Sequence, residues 1–217
     1  MLQNKCRLYL ITPPRIKLSS FIDEVKKALD GGDVAVLQLR LKGEDMKAPP
    51  DEEIIKAAEL LLPICRERDV VFIINDRPEV AKQVGADGVH IGETQDGTLE
   101  QAREIVGDNM VIGVSCYASK DRAMMAGEAG ADYVAFGAFY PTQTKEPKGH
   151  PKPDILEWWS TYTNVPCVAI GGIKPENCIP LVKAGADFIA VVTGVWNHEG
   201  GSAVGVKAYN DAIESCY

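Results

Sequence analysis

Gly85-Ala86-Asp87-Gly88-Val89-His90-Ile91-Gly92 decides the fold, because the chain repeats it twice in altered form. Gly130-Ala131-Asp132-Tyr133-Val134-Ala135-Phe136-Gly137 is the second copy, and Gly185-Ala186-Asp187-Phe188-Ile189-Ala190-Val191-Val192 the third. Each sets a small Gly-Ala-Asp turn before a short apolar run, which is how a helix ends and a buried parallel strand begins. The separations are too long for one strand-helix unit and right for two. A chain that alternates strand and helix at that pace is expected to close into an α/β (β/α)8 TIM barrel, with its chemistry at the C-terminal ends of the strands. An open doubly wound sheet is the alternative that periodicity alone leaves standing.

At 217 residues the chain can bury one substantial core, and a single barrel domain over 1–217 is expected. No apolar run approaches a membrane span, and Leu8 to Ile11 is too short for a cleavable leader, so a cytoplasmic protein is expected. Cysteines 6, 65, 116, 167, 178 and 216 have no metal-type spacing and read as reduced, mainly buried side chains. The net charge of −8 argues against nucleic acid as a partner. A phosphate ligand would therefore need local cations, backbone N–H groups or a metal. A homo-oligomer is left open.

Strands are expected near Arg7–Ile11, Val34–Arg40, Val70–Ile74, Gly88–Ile91, Val111–Val114, Tyr133–Gly137, Cys167–Ile170 and Phe188–Val192. Ser19-Ser20 and Asp51 are placed to cap the first two helices, Pro175 suits a first turn, and the last helix runs from about Ala203 to Ser215.

The strand ends carry the polar residues. In Gln38-Leu39-Arg40-Leu41-Lys42, alternation puts Gln38, Arg40 and Lys42 on one face. They serve either a ligand-facing mouth or an interlocked ion-pair layer inside the barrel. After strand three, Asp76 of Asn75-Asp76-Arg77-Pro78 is either a ligand for a hard cation such as Mg2+ or a cap for the next helix. Pro141-Thr142-Gln143-Thr144-Lys145 places two hydroxyls and a cation where several hydrogen bonds can reach one anion. Ile170-Gly171-Gly172-Ile173 and Val191-Val192-Thr193-Gly194, after strands seven and eight, form the usual barrel phosphate site.

With those segments in order along most of the chain, from Leu8-Tyr9-Leu10-Ile11-Thr12 to Val192-Thr193, the sequence resembles the thiamine-phosphate synthase family. The resemblance implies coupling of 4-amino-2-methyl-5-(diphosphooxymethyl)pyrimidine to a thiazole phosphate, with release of pyrophosphate and use of Mg2+. It assigns Gln38, Leu39, Arg40, Leu41, Lys42, Asn75, Ser115 and Lys145 to the pyrimidine diphosphate. Asp76 becomes a magnesium ligand, and Thr142, Thr144, Gly172, Val192 and Thr193 hold the thiazole phosphate. Arg40, Lys42 and Lys145 would stabilise the leaving pyrophosphate, and the thiazole nitrogen attacks with its own lone pair, so no catalytic triad is expected. His90 then reads as structural or packed beside the site, and His150 and His198 as solvated.

Three positions depart from the family pattern. An ungapped match puts Gln95 where a second magnesium carboxylate belongs; Asp96 serves if the loop carries one extra residue, and otherwise Glu93 or water does. Ala138-Phe139 replaces a usual glycine-proline, and Thr193 replaces a serine while keeping its hydroxyl. Two rivals share the barrel: a thiazole tautomerase-like isomerase, which would need His150 near the ring, and a non-catalytic barrel that binds thiamine precursors.

Overall fold

The structure is a computed structural model that describes residues 5–43, 47, 49–92, 98–142 and 149–217. Eight parallel strands form a closed barrel in sequence order: β1 (Arg7–Ile11), β2 (Val34–Leu39), β3 (Val71–Asn75), β4 (Gly88–Ile91), β5 (Val111–Tyr117), β6 (Tyr133–Phe136), β7 (Cys167–Ile170) and β8 (Phe188–Val191). β8 pairs with β1, which excludes the open sheet. Around it lie α1 (Leu18–Asp30), α2 (Asp51–Arg66), α3 (Pro78–Val84), α4 (Leu99–Val106), α5 (Lys120–Glu128), α6 (Asp154–Tyr162), α7 (Ile179–Lys183), α8 (Thr193–Trp196) and α9 (Ser202–Glu214). No described helix is long and apolar enough to cross a membrane.

The expected caps need correction. Ser19 and Ser20 lie inside α1, whose N-cap is Lys17, and the Ser20 hydroxyl donates to the Lys17 carbonyl at 3.1 Å. Asp51 is the first helical residue of α2, behind Pro50, and its carboxylate accepts from Arg77 Nε at 3.1 Å. Pro175 opens a short 3-10 turn, Pro175–Asn177, ahead of α7.

Strand alternation sorts the apolar residues into two cores. Leu8, Leu10, Leu37, Leu39, Phe72 and Phe136 face outward into the layer beneath the helices. Tyr9, Ile11, Val36, Ile73, Tyr133, Ala135, Val168 and Ala190 fill the barrel. Gly113 makes room for one of them, because a Cβ there would overlap the Tyr133 ring. Trp159 packs on the barrel, buried edge-on against Phe136 with its indole N–H donated to the Val165 carbonyl at 2.7 Å. The six cysteines are free, five of them buried, and burial pushes the Cys65, Cys116 and Cys167 thiols up to about 12.

The repeated aspartate explains why the motif recurs at β4, β6 and β8. Asp87 Oδ2 accepts from the Phe72 amide at 2.7 Å, Asp132 Oδ2 from the Ile112 amide at 2.8 Å, and Asp187 Oδ2 from the Cys167 amide at 2.8 Å. In each case the backbone amide of the aspartate donates back to the carbonyl of the same residue. One even-numbered strand thus pins the start of the odd-numbered strand before it. Before β2 the turn is Gly31-Gly32-Asp33, and Asp33 instead takes the Arg7 guanidinium of β1 at 2.6 Å.

Candidate functional site

The inner core turns polar toward the C-terminal ends of the strands. A small cavity there is lined by Tyr9, Gln38, His90, Ser115 and Tyr133 together with apolar residues of β1 and β6–β8. Their polar atoms are joined in a line. Gln38 Nε2 meets Asn75 Oδ1 at 2.7 Å, and Gln38 Oε1 meets the Tyr9 hydroxyl at 3.0 Å. The Tyr9 and Tyr133 hydroxyls are 2.8 Å apart, His90 Nδ1 lies 2.9 Å from the Tyr133 hydroxyl, and His90 Nε2 lies 2.9 Å from Ser115 Oγ. Burial pushes both tyrosine hydroxyls well above their ordinary values, which keeps them protonated.

Above this layer the charges gather. Asp76 adopts a left-handed backbone conformation, φ 59°, that aspartate tolerates better than most residues. Its Oδ1 accepts from the Gly92 amide at 3.0 Å, and its Oδ2 accepts from Asn75 Nδ2 and faces Lys42 Nζ at 3.3 Å. The N-cap of α3 is Arg77, so Asp76 is not a helix cap. Arg40 hangs its backbone amide on Thr12 Oγ1 at 2.9 Å. Its NH1 nitrogen is buried and has no hydrogen-bond partner among the described residues. Burial lowers the Arg40 guanidinium from its ordinary value, opposed by the charge on Asp76. The two readings of strand two therefore divide: Gln38 locks into a neutral layer inside the barrel, while Lys42 and Asp76 pair at its mouth. Leu39 and Leu41 turn their side chains into the outer core and act as spacers between the three.

The loops after β6, β7 and β8 form the third part. Gly171 and Gly172 have φ of 104° and 62°, where a side chain is strained, and a Cβ on Gly172 would run into the carbonyl oxygens of Tyr140 and Pro141. Thr142 is half-buried in the adjoining loop. Val192 is the N-cap of the four-residue α8, and Thr193 opens it. A short extra helix after strand eight is a recurrent barrel phosphate seat. Thr144, Lys145, Asp96 and Glu93 lie outside the described residues.

Sequence reasoning passed over four residues that build this end. Tyr9 and Tyr133 read as apolar strand positions, although period-2 alternation puts both inside the barrel. Tyr117, at φ 55° beside a register shift between β5 and β6, donates to the Gly92 carbonyl at 3.0 Å. Arg122 donates from Nε to the Ser115 carbonyl at 2.7 Å and from NH2 to the Gly92 carbonyl at 3.2 Å, tying the ends of β4 and β5 together. Nothing in its local sequence, on a polar helix, signals that role. His150 is exposed, with Nδ1 3.2 Å from the Ala138 carbonyl, and His198 is half-buried.

Known proteins share this arrangement of strands and loops. Residues 8–195 match the family described as thiamine monophosphate synthase. A thiamine-phosphate synthase of Rhodospirillum centenum is 54% identical over 205 residues, 94% of this chain and 96% of the relative. Another from Hyphomonas neptunium is 49% identical over 214 residues, 97% of this chain and 95% of the relative. The thiamine phosphate pyrophosphorylase of Pyrococcus furiosus superposes with a TM-score of 0.83 at 33% identity, covering 100% of this chain and 99% of that one. With the family match running from β1 through α8 and two relatives near half-identical over nearly their whole length, the chain belongs to the thiamine monophosphate synthase family.

Proposed function

We propose that this barrel joins an aminopyrimidine methyl diphosphate to a thiazole phosphate, giving thiamine phosphate and pyrophosphate. The observation that carries the reading is the buried Arg40 NH1, unpaired among the described residues, on the same rim as Lys42 and Asp76. A guanidinium nitrogen buried without an acceptor is costly to the protein alone and is repaid by an anionic ligand. A diphosphate supplies such an anion in a chain whose overall charge of −8 would otherwise repel it.

In this reaction the bond from the pyrimidine methylene carbon to the diphosphate oxygen breaks, and a bond from that carbon to the thiazole nitrogen forms. The electron-rich aminopyrimidine carries the positive charge that develops on carbon. Arg40 and Lys42 meet the negative charge growing on the leaving diphosphate, the usual large term in such catalysis. Lys145 is assigned to the same leaving group. Thr142, Thr144, Gly172, Val192 and Thr193 are assigned to the thiazole phosphate, and Gln38, Asn75 and Ser115 to the pyrimidine. The thiazole nitrogen needs no general base. His150, the histidine that an isomerase reading would require near the ring, is exposed and turned to the Ala138 carbonyl.

Among the described residues no group of three acidic, histidine or cysteine side chains could hold a metal. One carboxylate, Asp76, is nevertheless a fitting donor for Mg2+, which binds through one or two carboxylates plus substrate phosphates and water. Asp96 is the proposed second carboxylate. Bound Mg2+ would supply further neutralisation of diphosphate charge. The test is to mix both substrates with Mg2+ and follow pyrophosphate release. Product from the natural protein and none from Asp76→Ala supports the proposal; binding of both substrates without pyrophosphate release overturns it in favour of the non-catalytic binder.

A further inference from the structure

We propose that Tyr209 of α9 is a positioning residue whose one buried hydroxyl sets the spacing of the loops after β7 and β8, and through them the affinity for the thiazole phosphate. The spacing is read from the geometry; its effect on affinity rests on the proposed assignment of those loops to that phosphate.

The hydroxyl lies between the two loops. Tyr209 is fully buried in the outer core, and it donates to the Ile173 carbonyl at 2.8 Å, directly after the Gly171-Gly172 turn. Burial raises this hydroxyl well above its ordinary value, so it stays a donor. The same oxygen fills the space beside Gly194, where a Cβ would overlap it and would stand 3.0 Å from Cζ of the ring. One oxygen thus holds a carbonyl of the first loop and meets the backbone of the second, next to Thr193. Gly205 lets α9 come this close, because a Cβ there would lie 3.1 Å from the Val195 Cα.

The surrounding bonds show what the hydroxyl controls. α8 is fastened to β1 by Trp196, whose indole N–H donates to the Ile11 carbonyl at 2.7 Å and whose ring centre lies 4.9 Å from that of Phe21. In the β7 loop, the Gly171 carbonyl accepts from the Tyr140 amide at 3.0 Å and the Gly172 carbonyl from Asn177 Nδ2 at 3.2 Å. With Ile173, three successive carbonyls are turned into protein donors, which keeps their partial negative charge off an approaching phosphate. The first two donors belong to the β6 loop and to the 3-10 turn that follows β7. The third, Tyr209, comes from α9 and carries the link to Gly194. Without its hydroxyl the Ile173 carbonyl is buried with no donor, and Gly194 has space to settle into. Both changes alter the distance between loops that must close on one phosphate.

Tyr209→Phe, Gly194→Ala and the double variant separate positioning from packing. Calorimetry on the full chain compares affinity for the thiazole phosphate with affinity for the same thiazole lacking its phosphate, and steady-state rates give kcat and KM for both substrates. Tyr209→Phe should weaken thiazole phosphate binding by about 10-fold, with little change for the unphosphorylated thiazole, in KM for the pyrimidine diphosphate or in kcat. Gly194→Ala should weaken it by about 10²-fold, and by clearly less in the Tyr209→Phe background, where the oxygen in the path of the methyl is gone. A Tyr209→Phe protein that merely unfolds more easily, with its affinity intact, overturns the proposal, as does an equal loss for both thiazoles or strict additivity in the double variant. Should Gly194→Ala fail to fold, Tyr209→Phe decides alone. A natural protein that binds both thiazoles equally defeats the assignment of these loops to the phosphate, and with it the effect on affinity; non-additive urea midpoints of the three variants would still establish the spacing.

Discussion

The two ends of the barrel treat their charged groups in opposite ways. At the N-terminal end, Asp87, Asp132 and Asp187 each accept from a backbone amide of the neighbouring strand at 2.7 to 2.8 Å. At the C-terminal end, Asp76 also accepts an amide, but it stands beside Lys42 and within the field of Arg40, one of whose nitrogens is buried and unpaired among the described residues. The first set is closed, with the protein supplying each carboxylate with a donor, so it contributes to stability. The second set holds charge that protein groups do not fully match, so its value is to a ligand. That local surplus is how a chain with 31 acidic and 23 basic residues can offer a seat to a diphosphate.

The contrast breaks most visibly at Arg40. Arg40→Met should lower kcat by about 10²- to 10³-fold, the usual loss when a preorganised charge at the leaving group is removed. The same change removes a buried, incompletely paired cation, so the denaturation midpoint should hold or rise. A midpoint that falls would put Arg40 with the closed set and end the distinction. Next in size is Gly172→Ala. At φ 62°, with two carbonyl oxygens in the path of the new methyl, the loop must move. KM for the thiazole phosphate should rise by about 10- to 10²-fold, with a smaller change in kcat. An unaltered KM would remove this loop from the phosphate site.

The difference between the ends also governs what the sequence reveals. The barrel was legible because its signal is repeated: three Gly-Ala-Asp turns announce β4, β6 and β8, and the strand at Val34 shows a worn version of the same entrance. The mouth was legible in part, because Arg40, Lys42 and Asp76 are residue types that a dry strand end does not ordinarily tolerate, and the Gly171-Gly172 pair lets a phosphate approach the backbone. What the sequence hid was the line between them. Tyr9 and Tyr133 look like any aromatic residue in an apolar run, and their hydroxyls meet only after strands distant in sequence close into a cylinder. Arg122 was hidden for the same reason, since its partners, Ser115 and Gly92, belong to two other elements. The helix caps misled because Ser19, Ser20 and Asp51 are good cappers that lie one to three positions past the actual N-caps, Lys17 and Pro50.

At the closed end the expected effects are smaller and fall on stability. Asp87→Ala leaves the Phe72 amide without its carboxylate, which should cost about 1.5–3 kcal/mol, as for hydrogen bonds to charged groups. Urea unfolding reads this directly, and kcat/KM measured on the folded fraction should not change. A variant that loses turnover at full stability would mean that the N-terminal end also serves the chemistry.

Asp187 gives the finest test, because burial there outweighs the amide that it accepts. Its carboxyl is raised from the ordinary value by desolvation, with the Cys167 hydrogen bond opposing. The native state therefore holds the Asp187 proton more tightly than the unfolded chain does. Between the ordinary carboxyl range and the raised native value, this group makes stability fall as pH rises. Asp187→Asn keeps an oxygen for the Cys167 amide but cannot ionise, so the slope due to this position should vanish. Urea midpoints of the two proteins, taken from acid to neutral pH, should diverge in favour of the asparagine variant through that window and run parallel above it. Divergence in the other direction would show that the amide, not burial, governs the charge. Asp187 would then stabilise its carboxylate, the donor that the protein supplies there outweighing the cost of burial.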